Sequence, residues 1–193
     1  MGKSFLGKTA LASFTAIAVS GVCSQVMANG CEGQEVAVTG KILNNGQAGG
    51  GFSTLGVVAL NGEDPFGKMK CGIVGVSRDA DAEDIGPDGQ PLPLLFYHTI
   101  SCDDKGKLFP GGPATHSQLT FKTKGTFTEL PTACPAELGG GIAAPFIEFS
   151  QPVPGSGRGV FTNASGGLLT IEGTLNCVGT IDMTFSGNIC LSY

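Results

Sequence analysis

The stretch of residues 157–190 constrains the fold more than any other part of the chain. Two segments in it alternate apolar and polar residues, the pattern of β-strands with one buried face. The apolar rows are Leu169, Ile171, Gly173, Leu175 and Cys177, then Ile181, Met183, Phe185, Gly187 and Ile189. Each row contains a glycine, and glycine inside a strand often marks a bulge or a bend at a barrel corner.

Two earlier segments also contain a glycine in their apolar row. Gly40 lies in the apolar row of residues 35–43, and Gly125 lies in that of residues 117–128. A tightly curved, closed sheet explains all four glycines by one cause. Two more strands are predicted at 95–102 and 145–150, and two nearly continuous apolar runs, 52–60 and 69–76, predict buried strands. We therefore predict an all-β fold, a small closed antiparallel β-barrel of about eight strands.

The N-terminus has the features of an export signal. Lys3 and Lys8 precede a run of small apolar residues, and Val26-Met27-Ala28 is a small-x-small cleavage site. The sequence predicts a signal peptide over 1–28, removed on export, and a single β-barrel domain over 29–193. We expect the mature protein to be periplasmic or extracellular.

The cysteines support export to an oxidising compartment. Of the seven, Cys23 falls in the signal peptide. The other six are Cys31, Cys71, Cys102, Cys134, Cys177 and Cys190. An even number in an exported protein predicts three disulfides, one of them tying Cys31 to the body, but the sequence does not choose the pairing. No Cys-x-x-Cys or Cys/His spacing indicates zinc, and no cofactor is predicted.

Charge excludes some partners. Eleven basic residues less Lys3 and Lys8 leave nine against 16 acidic residues, a net charge of −7 in the mature chain. Without a basic patch, nucleic-acid binding is not expected. No membrane span is expected in the mature chain, and the absence of Trp argues against the aromatic girdles of an outer-membrane barrel.

The polar segment 77–94 is the place to look for a metal. Asp79, Asp81 and Glu83 alternate as calcium ligands could. Counted from Asp79, however, position six is Asp84 rather than glycine, and position twelve is Gln90 rather than glutamate. We therefore predict a solvated loop and no metal, and keep these three residues as weak calcium candidates.

Catalytic candidates are few. His98 and Tyr97 lie in one predicted strand, and a histidine there is more often packed than catalytic. Glu148, Glu172 and Asp182 are the strand carboxylates that could form a glycosidase pair. For each of them we favour the alternative of a solvated sheet face. His98 and Tyr97 are therefore the weak catalytic candidates.

A short motif resembles a known barrel family. The sequence from 157 to 166 is similar to the G-x-G-x-F-x-x-A-x-G motif of the allene oxide cyclase and dirigent families. The matching residues are Gly157, Gly159, Phe161, Ala164 and Gly166. The resemblance covers some 20 to 35 residues and implies an eight-stranded antiparallel barrel, often oligomeric. No residue matches the catalytic positions of those families, so their cyclisation and phenoxy-coupling activities do not carry over.

These observations predict a non-catalytic exported protein. It would bind a small apolar ligand in the barrel lumen or a partner through its loops, and it could be a homo-oligomer. The alternative is a cyclase- or isomerase-like enzyme with His98 or Tyr97 lining the lumen. A cavity above roughly 300 Å³ would favour ligand binding. Converging polar groups with shifted pKa values would favour the enzyme.

Overall fold

The computed structural model describes residue 31 and residues 33–48, 51–63, 67–103, 116–138, 140–177 and 180–192. The predicted signal peptide over 1–28 lies outside these residues. The strands are β1 (Gln34–Ala48), β2 (Gly51–Asn61), β3 (Lys68–Ser77), β4 (Leu94–Asp103), β5 (His116–Phe127), β6 (Thr132–Ala133), β7 (Ile142–Pro152), β8 (Ala164–Leu175) and β9 (Thr180–Leu191). The helices of this described part are 3₁₀ turns at Ala82–Asp84, Ala136–Leu138 and Gly159–Phe161.

Eight of these strands form a closed antiparallel barrel. Each barrel strand pairs with the next along the chain, β5 pairs directly with β7, and β9 pairs with β1 to close the cylinder. The short β6 adds only two pairs to β7. The predicted all-β, eight-stranded closed antiparallel barrel is confirmed, and each predicted strand is present.

The apolar runs in β2 and β3 are buried on one face only. Leu55 and Val57 point outward with 55% and 68% of their surface exposed, and Val74 and Val76 are also exposed. The prediction that these runs are fully buried is therefore wrong. In the barrel each strand has one row facing the lumen, so the second apolar row lies outside.

One end of the barrel is filled by side chains. In the turn that leads into β8, Gly159 has φ +64° and packs against Ser117, whose Oγ accepts a hydrogen bond from the Val160 N–H at 2.9 Å. The turn places Phe161 inside, fully buried. Inward side chains that are also fully buried complete this end: Val36, Leu60, Ile100 and Leu191.

The inward glycines accommodate side chains from neighbouring strands. A Cβ on Gly40 would collide with the ring of Phe185, and a Cβ on Gly173 would meet Phe146. At Gly125 it would meet Glu148. The predicted inward position of these glycines is confirmed, and each allows a large side chain to lie across the adjacent strand.

Three disulfides connect the six cysteines, as predicted. They join Cys31 to Cys190, Cys71 to Cys102, and Cys134 to Cys177. The first links the segment before β1 to the last strand, the second joins directly opposite residues of β3 and β4, and the third fastens the β6 region to the end of β8.

Candidate functional site

A cavity of about 540 Å³ lies at the other end of the barrel, where β3, β5 and β8 end and β4, β7 and β9 begin. Its walls are largely apolar. They include Leu94, Phe96, Phe127, Phe146, Leu175, Ile181 and Met183. The volume falls within the range of roughly 300–1,000 Å³ that is usual for small-molecule sites.

His98 lines this cavity from β4 and is 1% exposed. Its cross-strand partner is Gly75, where a Cβ would collide with the imidazole ring. His98 Nδ1 lies 2.9 Å from Thr123 Oγ1, which lies 2.6 Å from Ser150 Oγ. Because both hydroxyls can donate or accept, either ring nitrogen can carry the proton. Burial lowers the pKa of His98 to about 4, so the ring is neutral at pH 7.

Glu148 enters the same cavity from β7 and is 2% exposed. Its cross-strand partner is Gly125, so Glu148, like His98, lies opposite a glycine. No ion pair found among the described residues involves Glu148, and its Oε2 has no hydrogen-bond partner there. Burial raises the pKa of Glu148 to about 8, so the carboxyl is protonated at pH 7 and can donate a hydrogen bond.

Three polar atoms of the cavity lack partners within the described part of the protein: Thr54 Oγ1, His98 Nε2 and Glu148 Oε2. Thr54 and His98 flank Gly75, one on each side across the sheet. A buried polar group without a hydrogen bond costs about 1–3 kcal/mol. Three such atoms in one apolar cavity indicate a site that can receive the polar end of a ligand.

The wall at the cavity mouth is built around a buried ion pair. Arg78 donates two hydrogen bonds to the carboxylate of Asp84, at 2.6 and 2.8 Å, and both side chains are buried. Asp84 also accepts from the Asp81 N–H, and Asp81 accepts from the Glu83 N–H, which caps the 3₁₀ turn Ala82–Asp84. The Arg78 guanidinium holds the pKa of Asp84 well below its usual range.

We expect the Asp84→Asn substitution to loosen this wall. It would lower the free energy of opening of the segment 78–93 by about 3 kcal/mol, because buried Arg78 would lose its counter-charge. Hydrogen exchange should then accelerate at Leu92, whose amide donates to the Asp84 carbonyl, and at Gly86.

The matched control is Lys122→Met, which removes an exposed pair of salt bridges to Asp81 and Glu83 from the same segment. Exposed ion pairs contribute less than about 1 kcal/mol, so exchange at Leu92 should change little. Equal effects of the two substitutions would contradict the central role of Arg78 and Asp84.

Tyr97 does not line the lumen. It has the opposite strand parity from His98 and lies on the outer face, 38% exposed, with the Arg78 guanidinium 5.5 Å from its ring centre. The expectation that it could face a lumen substrate is corrected, and His98 is the member of the pair that reaches the cavity.

Two of the three calcium candidates have their carboxylates engaged in ion pairs. Asp81 and Glu83 bind Lys122 Nζ at 2.6 and 3.1 Å, and the main-chain oxygen of Asp79 accepts from Arg78. Within the described ranges, no group of three or more His, Cys, Asp or Glu residues is placed to hold a metal ion.

Of the three strand carboxylates, only Glu148 departs from the expected solvated face. Glu172 and Asp182 are exposed as expected. Glu148 belongs to the inward row with Phe146 and Ser150, and the expectation of a solvated position is wrong for it. The sequence did contain an indication of the inward position: Glu148 stands two residues after Phe146, and alternate residues of a strand point to the same face.

No family model, curated protein or solved structure matches this chain. Among the described residues, none of the helices has the length and apolar character needed to cross a membrane.

Proposed function

We propose that this is an exported, non-catalytic carrier that binds one small, largely apolar molecule in the barrel lumen. The observation that carries the proposal is the cavity of about 540 Å³, which has largely apolar walls and three polar atoms without a hydrogen-bond partner among the described residues. The walls would provide affinity through buried apolar area, and the polar atoms would orient the ligand. The opposite end is filled, so the ligand would enter past the segment 78–93.

Filling the cavity should abolish binding. Leu175 is a half-buried lining residue at the end of β8, and Leu175→Trp would place an indole in the space the ligand needs. We expect the affinity for the neutral fluorophore N-phenyl-1-naphthylamine to fall at least tenfold, or about 1.4 kcal/mol. Fluorescence titration measures the change, and native mass spectrometry of protein from its source would reveal a retained ligand.

Leu55→Trp is the control, since it makes the same change on the outer face, where Leu55 is 55% exposed. It should leave the affinity unchanged. Equal loss in both variants, or no binding by the wild type, would refute binding in the lumen.

The second candidate is a cyclase- or isomerase-like enzyme acting on a small hydrophobic substrate. It is favoured by His98 and Glu148 in one cavity, since a neutral imidazole can accept a proton while a protonated carboxyl donates one. An enzyme of this type should exchange the α-hydrogens of nonyl methyl ketone with deuterium oxide, as detected by mass spectrometry. A carrier would bind the ketone without accelerating exchange.

Export is proposed on the predicted signal peptide over 1–28, with the periplasm or the extracellular space as the destination. The three disulfides are compatible with it, because such bonds persist in oxidising compartments. N-terminal sequencing of the secreted protein tests the cleavage after Ala28.

A relationship to the allene oxide cyclase and dirigent barrels stays a proposal. It is supported by the eight-stranded barrel and by the motif turn, which seats Phe161 in the filled end. The disulfides depart from that pattern. A homo-oligomer is proposed with it, supported by the exposed apolar residues Leu55, Val74 and Val76 on the outer face, and sedimentation equilibrium would give its mass.

A further inference from the structure

The surroundings of Glu148 define what the cavity can bind. The titratable and charged residues of the cavity lining are Arg78, Asp79, His98 and Glu148. Arg78 is held by Asp84 through two hydrogen bonds, so its charge is already balanced. On the flanking strands, Lys124 of β5 and Glu172 of β8 are exposed on the outside of the barrel.

Among the described lining residues, a charged ligand head group would find no free buried charge of opposite sign. A carboxylate would lose its hydration without gaining a free cation, because Arg78 is engaged and His98 is neutral at pH 7. The other carboxylate of the lining, Asp79, is exposed to solvent, so an ammonium inside the cavity would need an ionised Glu148. Burial holds the Glu148 carboxyl protonated at pH 7. Charge therefore argues for an uncharged ligand.

The polar atoms of the cavity favour a ligand that accepts hydrogen bonds. Protonated Glu148 presents an O–H, and the Thr54 hydroxyl can donate as well. His98 Nε2 can take either role through its contact with Thr123. A carbonyl oxygen, with two lone pairs and no hydrogen of its own, fits such a set of donors.

We infer that Glu148 anchors the polar end of the ligand, and that the cavity selects uncharged amphiphiles ending in a carbonyl oxygen over those ending in a carboxylate or an ammonium. This inference rests on the proposed carrier function and adds the class of its ligand. The apolar tail would lie against Phe127, Phe146 and Leu175.

The test is displacement of N-phenyl-1-naphthylamine from the full mature protein by nonyl methyl ketone, decanoate and decylamine, which have similar chain lengths. At pH 7 the ketone should bind at least about tenfold more tightly than either charged compound. Its affinity should fall as the pH rises above about 8, where Glu148 ionises.

Two substitutions test whether the Glu148 side chain causes the tight binding of the ketone and its decline above pH 8. Glu148→Leu should weaken the ketone about tenfold while retaining the fluorophore. Glu148→Gln keeps a hydrogen-bond donor that does not titrate, so it should bind the ketone within a few-fold of wild type and show no loss above pH 8.

The outcomes separate this inference from the carrier function. If the fluorophore binds but decanoate or decylamine displaces it as well as the ketone, the anchor is refuted and the carrier function stands. The anchor is likewise refuted, and the carrier function stands, if Glu148→Leu binds the ketone as tightly as wild type does. If the fluorophore does not bind the wild type, the carrier function fails and the anchor fails with it.

Discussion

As the pH rises from 4.5 to 8.5, the free energy of unfolding of the Glu148→Gln variant minus that of wild type is expected to increase by about 4 kcal/mol. The folded protein binds the Glu148 proton up to a pH of about 8, whereas the unfolded chain releases it near 4.5. Between these values folding requires proton uptake, so wild-type stability falls as the pH rises. Glutamine does not titrate and removes this decline.

His98 has the opposite pH dependence. Its pKa is about 4 in the folded state and 6.5 in the unfolded chain, so stability falls as the pH drops through that interval. In wild type the two effects oppose each other between pH 4.5 and 6.5, and only the Glu148 decline remains from 6.5 to about 8. Glu148→Gln should therefore rise in stability up to pH 6.5 and then level off.

Urea unfolding at a series of pH values measures these profiles. Glu172→Gln is the control, because Glu172 is the exposed carboxylate of the neighbouring strand, directly opposite Ile147. Its profile should follow wild type. Parallel profiles for Glu148→Gln and wild type above pH 6.5 would show that Glu148 is ionised in the folded protein, and would refute the raised pKa of this carboxyl.

The sequence was sufficient to predict the strands, because the alternation of apolar and polar residues is a local property. The glycines in the apolar rows then predicted that the sheet is curved and closed. Gly173 stands in a row with Ile171 and Leu175, and that parity alone places it inside. The three disulfides followed from an even number of cysteines. Their pairing did not, because the contact of Cys71 with Cys102 depends on the register between β3 and β4.

The site depends on which residues of neighbouring strands lie opposite each other, and this register cannot be read from one strand alone. His98 was a candidate, but its strand has apolar residues on both faces, so parity did not separate it from Tyr97. Glu148 was taken for a solvated residue, since a carboxyl is seldom buried without a partner. Its space is provided by Gly125, which is opposite it only in the β5–β7 register that closes the barrel.

Replacing both Cys31 and Cys190 with alanine should cost about 4–5 kcal/mol in free energy of unfolding, the largest loss among the three disulfides by loop length. This bond closes a loop with a sequence separation of 159, against 31 and 43 for the other two. In the chain-entropy description the cost grows with loop length, because a longer loop restricts the unfolded chain more. Non-reducing urea denaturation of the mature protein measures it.

The comparison with Cys134→Ala and Cys177→Ala tests the cause. Even when the two shorter loops are already closed in the unfolded chain, the Cys31–Cys190 loop remains the longest, so its removal should cost more. β1 and β9 are also paired from Gln34 to Asn45, which means that the barrel can close without the disulfide. The folded barrel should therefore keep its cavity and its fluorophore affinity below the new unfolding midpoint. Loss of binding at low urea would instead show that this disulfide holds the folded barrel closed, and that its effect is not confined to the unfolded chain.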